Sequence, residues 1–141
     1  MMRHPRNEHG SISIWLVTAS FVMMMLVGLT VDLGGQVHAK QRAHDIAAQA
    51  ARTGGEQVQA APAIRGDYLA VDTTGARNAA KDYLAASGVT GTVTITGGNT
   101  ITVHVTDTYT PKFLSIIGLG NLTVTGEASA RLIRSLGGSE Q

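Results

Sequence analysis

Residues 11–35, SISIWLVTASFVMMMLVGLTVDLGG, carry no formal charge before Asp32. Ser11 to Val31 is a run of 21 uncharged residues. At about 1.5 Å of helix rise each they cover about 30 Å, the thickness of a bilayer's hydrocarbon core. Ser11, Ser13, Thr18, Ser20, Gly28 and Thr30 dilute the hydrophobicity. Hydroxyls can bond back onto helix carbonyls or across to a neighbouring helix, so they are tolerated in such spans. Met23, Met24 and Met25 are expected to face lipid or a partner helix, and Trp15 lies near one end, where an indole favours the interface. The run is longer than the apolar region of about 7–15 residues in a cleaved signal. Val37-His38-Ala39 still resembles a cleavage site, so release after Ala39 stands as a rival reading.

Beyond Gly34-Gly35 follows QVHAKQRAHDIAAQAAR, residues 36–52. Ala39, Ala43, Ile46, Ala47 and Ala50 fall on one narrow helical face, with Lys40, Arg42, Asp45, Gln49 and Arg52 on the others. The membrane helix is therefore expected to continue as an amphipathic stem, bent at Gly34-Gly35 and stopped by Gly54-Gly55. Alanine on the packing face lets another surface approach closely. Asp32 is expected to mark the outer water boundary, with pairing to a partner's basic residue as the sharper reading. Asp45 reads as a stem-face charge or an intersubunit contact.

The rest of the chain reads as α+β. Gln57–Asp72 is a connector with Pro62 and Gly66. Thr73 or Thr74 can cap a helix over residues 75–87 ended by Gly88, with Ala76, Ala79, Ala80, Tyr83 and Leu84 inward. TVTIT, GGN and TITVHVTDTYT alternate β-branched and polar residues around Gly97-Gly98-Asn99, a hairpin whose threonine face meets water or a neighbour. Pro111 breaks the second strand. KFLSIIGLG is expected to form a short apolar helix or loop with Phe113, Ile116 and Ile117 plugging one edge of the core. Residues 121–132 resume the alternation, Gly126 marks a bulge, and the last residues are frayed.

Composition narrows the function. Without cysteine the chain has no disulfides, thiol catalysis or cysteine zinc sites. A net charge of +1 gives no sign of nucleic-acid binding. His4, His9, His38, His44 and His104 are scattered, and neither a metal-ligand spacing, a phosphate-cradling loop nor a nucleophile elbow is present. The expectation is no metal, no cofactor, no small-molecule substrate and no catalysis.

Three stretches in this order, HGSISIWLVTASFVMMMLVGLTVDLGG, QRAHDIAAQAAR and FLSIIGLGNLTVTGEASAR, resemble the TadE/TadG-like proteins of tight-adherence (Flp-type) pilus systems. The resemblance implies a single-pass inner-membrane protein, a minor pilin-like component or an assembly factor, working with other pilin-like subunits and assembly-platform proteins. It makes Gly10 a candidate processing point. Prepilin-type members carry glutamate five residues after that glycine, whereas this chain has Trp15. The larger TadG-type members add a long domain for which 141 residues leave no room.

The resulting expectation is a pilin-like α+β fold: a long N-terminal transmembrane and stem helix packed on a small antiparallel sheet with a second helix. Its parts are a cytoplasmic tail (1–10), a transmembrane helix (11–33), an amphipathic stem (34–55), an extracytoplasmic α+β domain (56–135) and a flexible tail (136–141). Asp32, Asp45, Ala43, Ala47 and Ala50 are the candidate partner contacts. The rival is a secreted binding or adhesion module released after Ala39.

Overall fold

The computed structural model describes residues 9–60, 72–132, 135–136 and 139–140. Most of the expected connector and most of the N-terminal tail lie outside them. Helix α1 spans His9–Ala60, 52 residues and so about 78 Å, more than twice the hydrocarbon thickness of a bilayer. No proline falls within it. Its hydroxyls are absorbed internally: Thr18, Thr30 and Thr53 donate to the carbonyls of Ile14, Leu26 and Gln49 at 2.8, 2.9 and 3.0 Å.

The helix passes Gly34-Gly35 unbroken and runs beyond Gly54-Gly55, where a stop was expected. Tertiary packing overrides a helix penalty of about 1 kcal/mol per glycine. At Gly54 a Cβ would lie 2.6 Å from Ile101 Cδ1 and 2.8 Å from the Ala76 carbonyl oxygen, so the missing side chain is what lets the head sit down.

Helix α2, Thr73–Ala86, is capped by Asp72 rather than by either threonine. The Asp72 carboxylate accepts from the amides of Thr74 (3.1 Å) and Gly75 (2.9 Å). Gly88, at φ +69°, turns the chain out of the helix. Ala76, Ala80 and Leu84 are buried, and Tyr83 is packed at the margin.

Strands β1 (Thr90–Thr96), β2 (Thr100–Tyr109) and β3 (Leu122–Arg131) form an antiparallel sheet in that order. The expected β1–β2 hairpin is present: Val93 pairs with Val103, and Gly97 and Gly98 adopt φ of +62° and +69° in its turn. Ile101, Val103 and Val105 point inward while His104 and Thr106 stay in water. Both helices pack on this inner face, and Ala43, Ala47, Ala50 and Ala51 of α1 join the core.

Gly126 makes no bulge. The β2–β3 register runs through Val105↔Gly126 without a break. Instead, a Cβ at Gly126 would strike the α1 backbone at Ala43 and His44. Further on, β4 (Ser135–Leu136) and β5 (Ser139–Glu140) pair where fraying was expected.

Candidate functional site

One face of α1 is small from Gly28 to Gly54. Gly28, Asp32, Ala43, Ala47, Ala50 and Gly54 are buried along it, with Gly35 and Ala39 partly so. Gly28 faces Phe113, Gly35 faces Tyr109, and Ala43 faces Gly126. Near the start of this stripe, a single acid interrupts the small residues.

Asp32 is 1% exposed. It is not the solvated boundary charge expected. Its Oδ1 accepts from the Lys112 amide at 2.7 Å, and its Oδ2 from the amides of Phe113 (2.9 Å) and Leu114 (2.6 Å). The Tyr109 hydroxyl donates to Oδ1 over a long 3.4 Å. Pro111, itself buried, has no N–H, so the donors begin at residue 112. The three amides open a one-turn 3-10 helix, Leu114–Ile117. Asp32 therefore caps a turn some 80 residues downstream and latches it onto α1.

Burying a carboxylate is tolerable only when such bonds replace its water. Among the described residues no buried side-chain nitrogen or oxygen lacks a partner. The neighbouring phenol responds to the same geometry: burial, followed by the Asp32 charge and hydrogen bond, holds Tyr109 above its ordinary range.

Phe113, Ile116 and Ile117 do not plug the core. They are 41%, 79% and 59% exposed. The latch fixes the loop's backbone against α1 and turns these side chains outward, apart from the Phe113 ring over Gly28.

The other candidate residues separate into two groups. Ala43, Ala47 and Ala50 are fully buried within the chain. Asp45 is exposed and lines an open groove with Arg42, Gln49 and Tyr83. Gly10 and Ala39 both lie within unbroken α1. His104 and Glu127 pair across the outer sheet face at 3.4 Å, and no metal-holding cluster occurs among the described residues. Sequence reasoning missed the latch because its donors are backbone amides, which leave no side-chain signature. The available signal was an acid inside an apolar run and a proline opening a short apolar loop.

The most apolar 18-residue window of α1 has a mean hydropathy of 2.2 and is almost wholly exposed. A helix from the core of a water-soluble fold would instead be covered. By length and composition α1 can cross a membrane.

A family model described as "Putative Flp pilus-assembly TadE/G-like" matches residues 10–61, nearly the whole of α1. No curated protein and no solved structure matches the chain. Over its first helix the chain is thus similar to a family implicated in Flp pilus assembly.

Proposed function

We propose, from a first helix similar to the TadE/G-like family, that this chain is a membrane-anchored, non-catalytic, pilin-like component or assembly factor of a Flp-type pilus. The observation that carries the reading is the change of character along α1. Its first part presents large apolar side chains outward, and its second part is the spine on which the head folds. Such a helix holds the subunit in the bilayer and transmits its position rigidly to the head. The short basic tail stays in the cytoplasm and the head lies outside. Asp45, with the groove beside it, is the proposed contact for other pilin-like subunits or platform proteins.

The geometry disfavours release after Ala39. Such a cut would sever α1 and remove Asp32 from the amides it holds. Processing at Gly10 would leave both the span and the latch intact.

Crosslinking in the native membrane, followed by partner identification and N-terminal sequencing, tests the proposal. Recovery of pilus-platform or pilin-like proteins with an intact or Gly10-processed helix is the expected outcome. A mature chain beginning at Lys40, or a deletion that leaves surface fibres unchanged, would overturn it.

A further inference from the structure

The segment from Phe113 to Leu119 is apolar, exposed and firmly placed. Phe113, Ile116, Ile117 and Leu119 are among the exposed large hydrophobic side chains. A loop of this kind beside water would be an anomaly. Its level along α1 bears on what could cover it.

The loop is held at Asp32 by three backbone bonds and at Gly28 by the Phe113 ring. If the hydrocarbon core begins at Ile12, about 30 Å of helix ends near Val31. Gly28 then lies inside the core by several ångströms, and a later start places it deeper. With Asp32 masked, the next formal charge on α1 is Lys40. The α1 side chains at the loop's level, Val27, Leu29, Val31 and Leu33, are also exposed and apolar. The loop therefore extends one continuous greasy surface.

Six of its backbone amides and one hydroxyl are bonded within the chain. The amides of Lys112, Phe113 and Leu114 donate to Asp32. Those of Ile116, Gly118 and Leu119 donate to the carbonyls of Phe113, Ser115 and Leu114 at 3.1, 3.1 and 3.0 Å. The Ser115 hydroxyl donates to the Lys112 carbonyl at 3.1 Å. Irregular backbone is excluded from the lipid-exposed hydrocarbon interior, so a loop bonded in this way rests its backbone at the acyl–headgroup boundary and lets only its side chains enter the core. Lys112, exposed at the loop's start, can carry its ammonium back to the headgroups along its own methylene stem.

We propose that Phe113–Leu119 is a membrane-inserted wedge, docked on α1 by Asp32, whose side chains lie among the lipid acyl chains of the leaflet on the head's side. This rests on the reading that α1 spans the bilayer. The subunit then has two apolar elements in that leaflet, which restricts the tilt of the helix and head relative to the membrane plane.

The absence of native cysteine allows single-site labelling of the full chain. Ile116→Cys, Val22→Cys and Thr94→Cys, each carrying an environment-sensitive fluorophore, would be reconstituted into phosphatidylcholine–phosphatidylglycerol vesicles. Each would be quenched by acyl-chain nitroxides and by aqueous iodide. The label at 116 is expected to be quenched several-fold more by shallow nitroxide lipid than the label at 94, and to be protected from iodide. Iodide access at 116 equal to that at 94, with position 22 still at lipid depth, would overturn the wedge and leave the span standing. A label at 116 shielded from both quenchers would overturn it in favour of a second copy. A label at 22 open to iodide would remove the span itself and the wedge with it.

Discussion

The two parts of α1 use opposite side chains to do the same thing, which is to find an apolar neighbour. From Ile12 to Val27 the helix carries Trp, Phe, Leu, Val and Met, and the described head touches almost none of them. From Gly28 to Gly54 its fully buried positions are glycine and alanine with one acid, and they lie under a sheet, a loop and a second helix. Large side chains suit a fluid partner that adapts to any shape. Small ones suit a solid partner whose backbone must come close, because interiors are packed at fixed density. The boundary between these regimes falls at Gly28–Asp32, where the loop is latched.

The comparison is most severely tested by enlarging the small side. Gly126→Val places a Cβ against the α1 backbone at Ala43 and His44, which has no side chain to move aside. The expected loss is about 3 kcal/mol of stability, at the upper end of overpacking effects. It would be read as a lowered melting temperature of the head and new protease sensitivity at the α1–β3 contact. Gly120→Ala, which meets open space, should stay within about 0.5 kcal/mol of the parent. Equal behaviour of the two variants would mean that close backbone approach does not hold the head to its spine.

Next in size is the latch. Asp32→Ala leaves three amides without their acceptor, a loss of about 2 kcal/mol given that the loop can partly reopen to other partners. Hydrogen exchange should accelerate at Lys112, Phe113 and Leu114 while the amides of β2 keep their protection. Asp32→Asn should fall between Ala and the parent, since one oxygen still accepts while the new NH₂ faces a donor. Uniform acceleration across the sheet would show instead that Asp32 supports the whole head.

The legibility of these parts follows from what each depends on. The β1–β2 hairpin was readable because period-two alternation and Gly97-Gly98 are local signals. The alanine stripe was readable as a helical face. Gly54 and Gly126 were misread, as a stop and a bulge, because glycine signals equally a break in the chain or an approach by another chain segment, and only tertiary structure separates the two. Asp72 stands beside two threonines that can also cap, and composition alone does not choose among the three. Phe113, Ile116 and Ile117 read as core residues in sequence because apolar side chains declare only that they avoid water, and they are exposed in the fold. Asp32 was the hardest residue, since its partners are amides that every residue but proline possesses.

A smaller effect is expected at Tyr109, where β2 meets Gly35. Its hydroxyl bond to Asp32 is long, so Tyr109→Phe should change stability little at neutral pH. The difference emerges in alkali. Because the folded state holds the phenol above its ordinary value of 10.0, the unfolded chain ionises first, and stability present below that value is lost as pH rises through the folded value. Melting temperatures followed upward from pH 10 should therefore fall more steeply for the parent than for Tyr109→Phe. Parallel curves would mean that folding, by burial and by the nearby carboxylate, does not hold the phenol above its ordinary range.

The smallest effect belongs to the bare part of α1, and its smallness is informative. Met24 is 70% exposed and four residues before Gly28, over which the Phe113 ring packs. Met24→Ala trims a side chain that is mostly exposed, so head melting in detergent should shift by no more than about 0.5 kcal/mol. Its consequences should appear only where the large side chains have a partner, in the strength of membrane retention or of subunit association in lipid. If Met24→Ala instead destabilised the head as much as Asp32→Ala, the helix could not be divided at Gly28–Asp32. Its apolar first part would then be acting as a hidden extension of the core rather than as the surface offered to the bilayer.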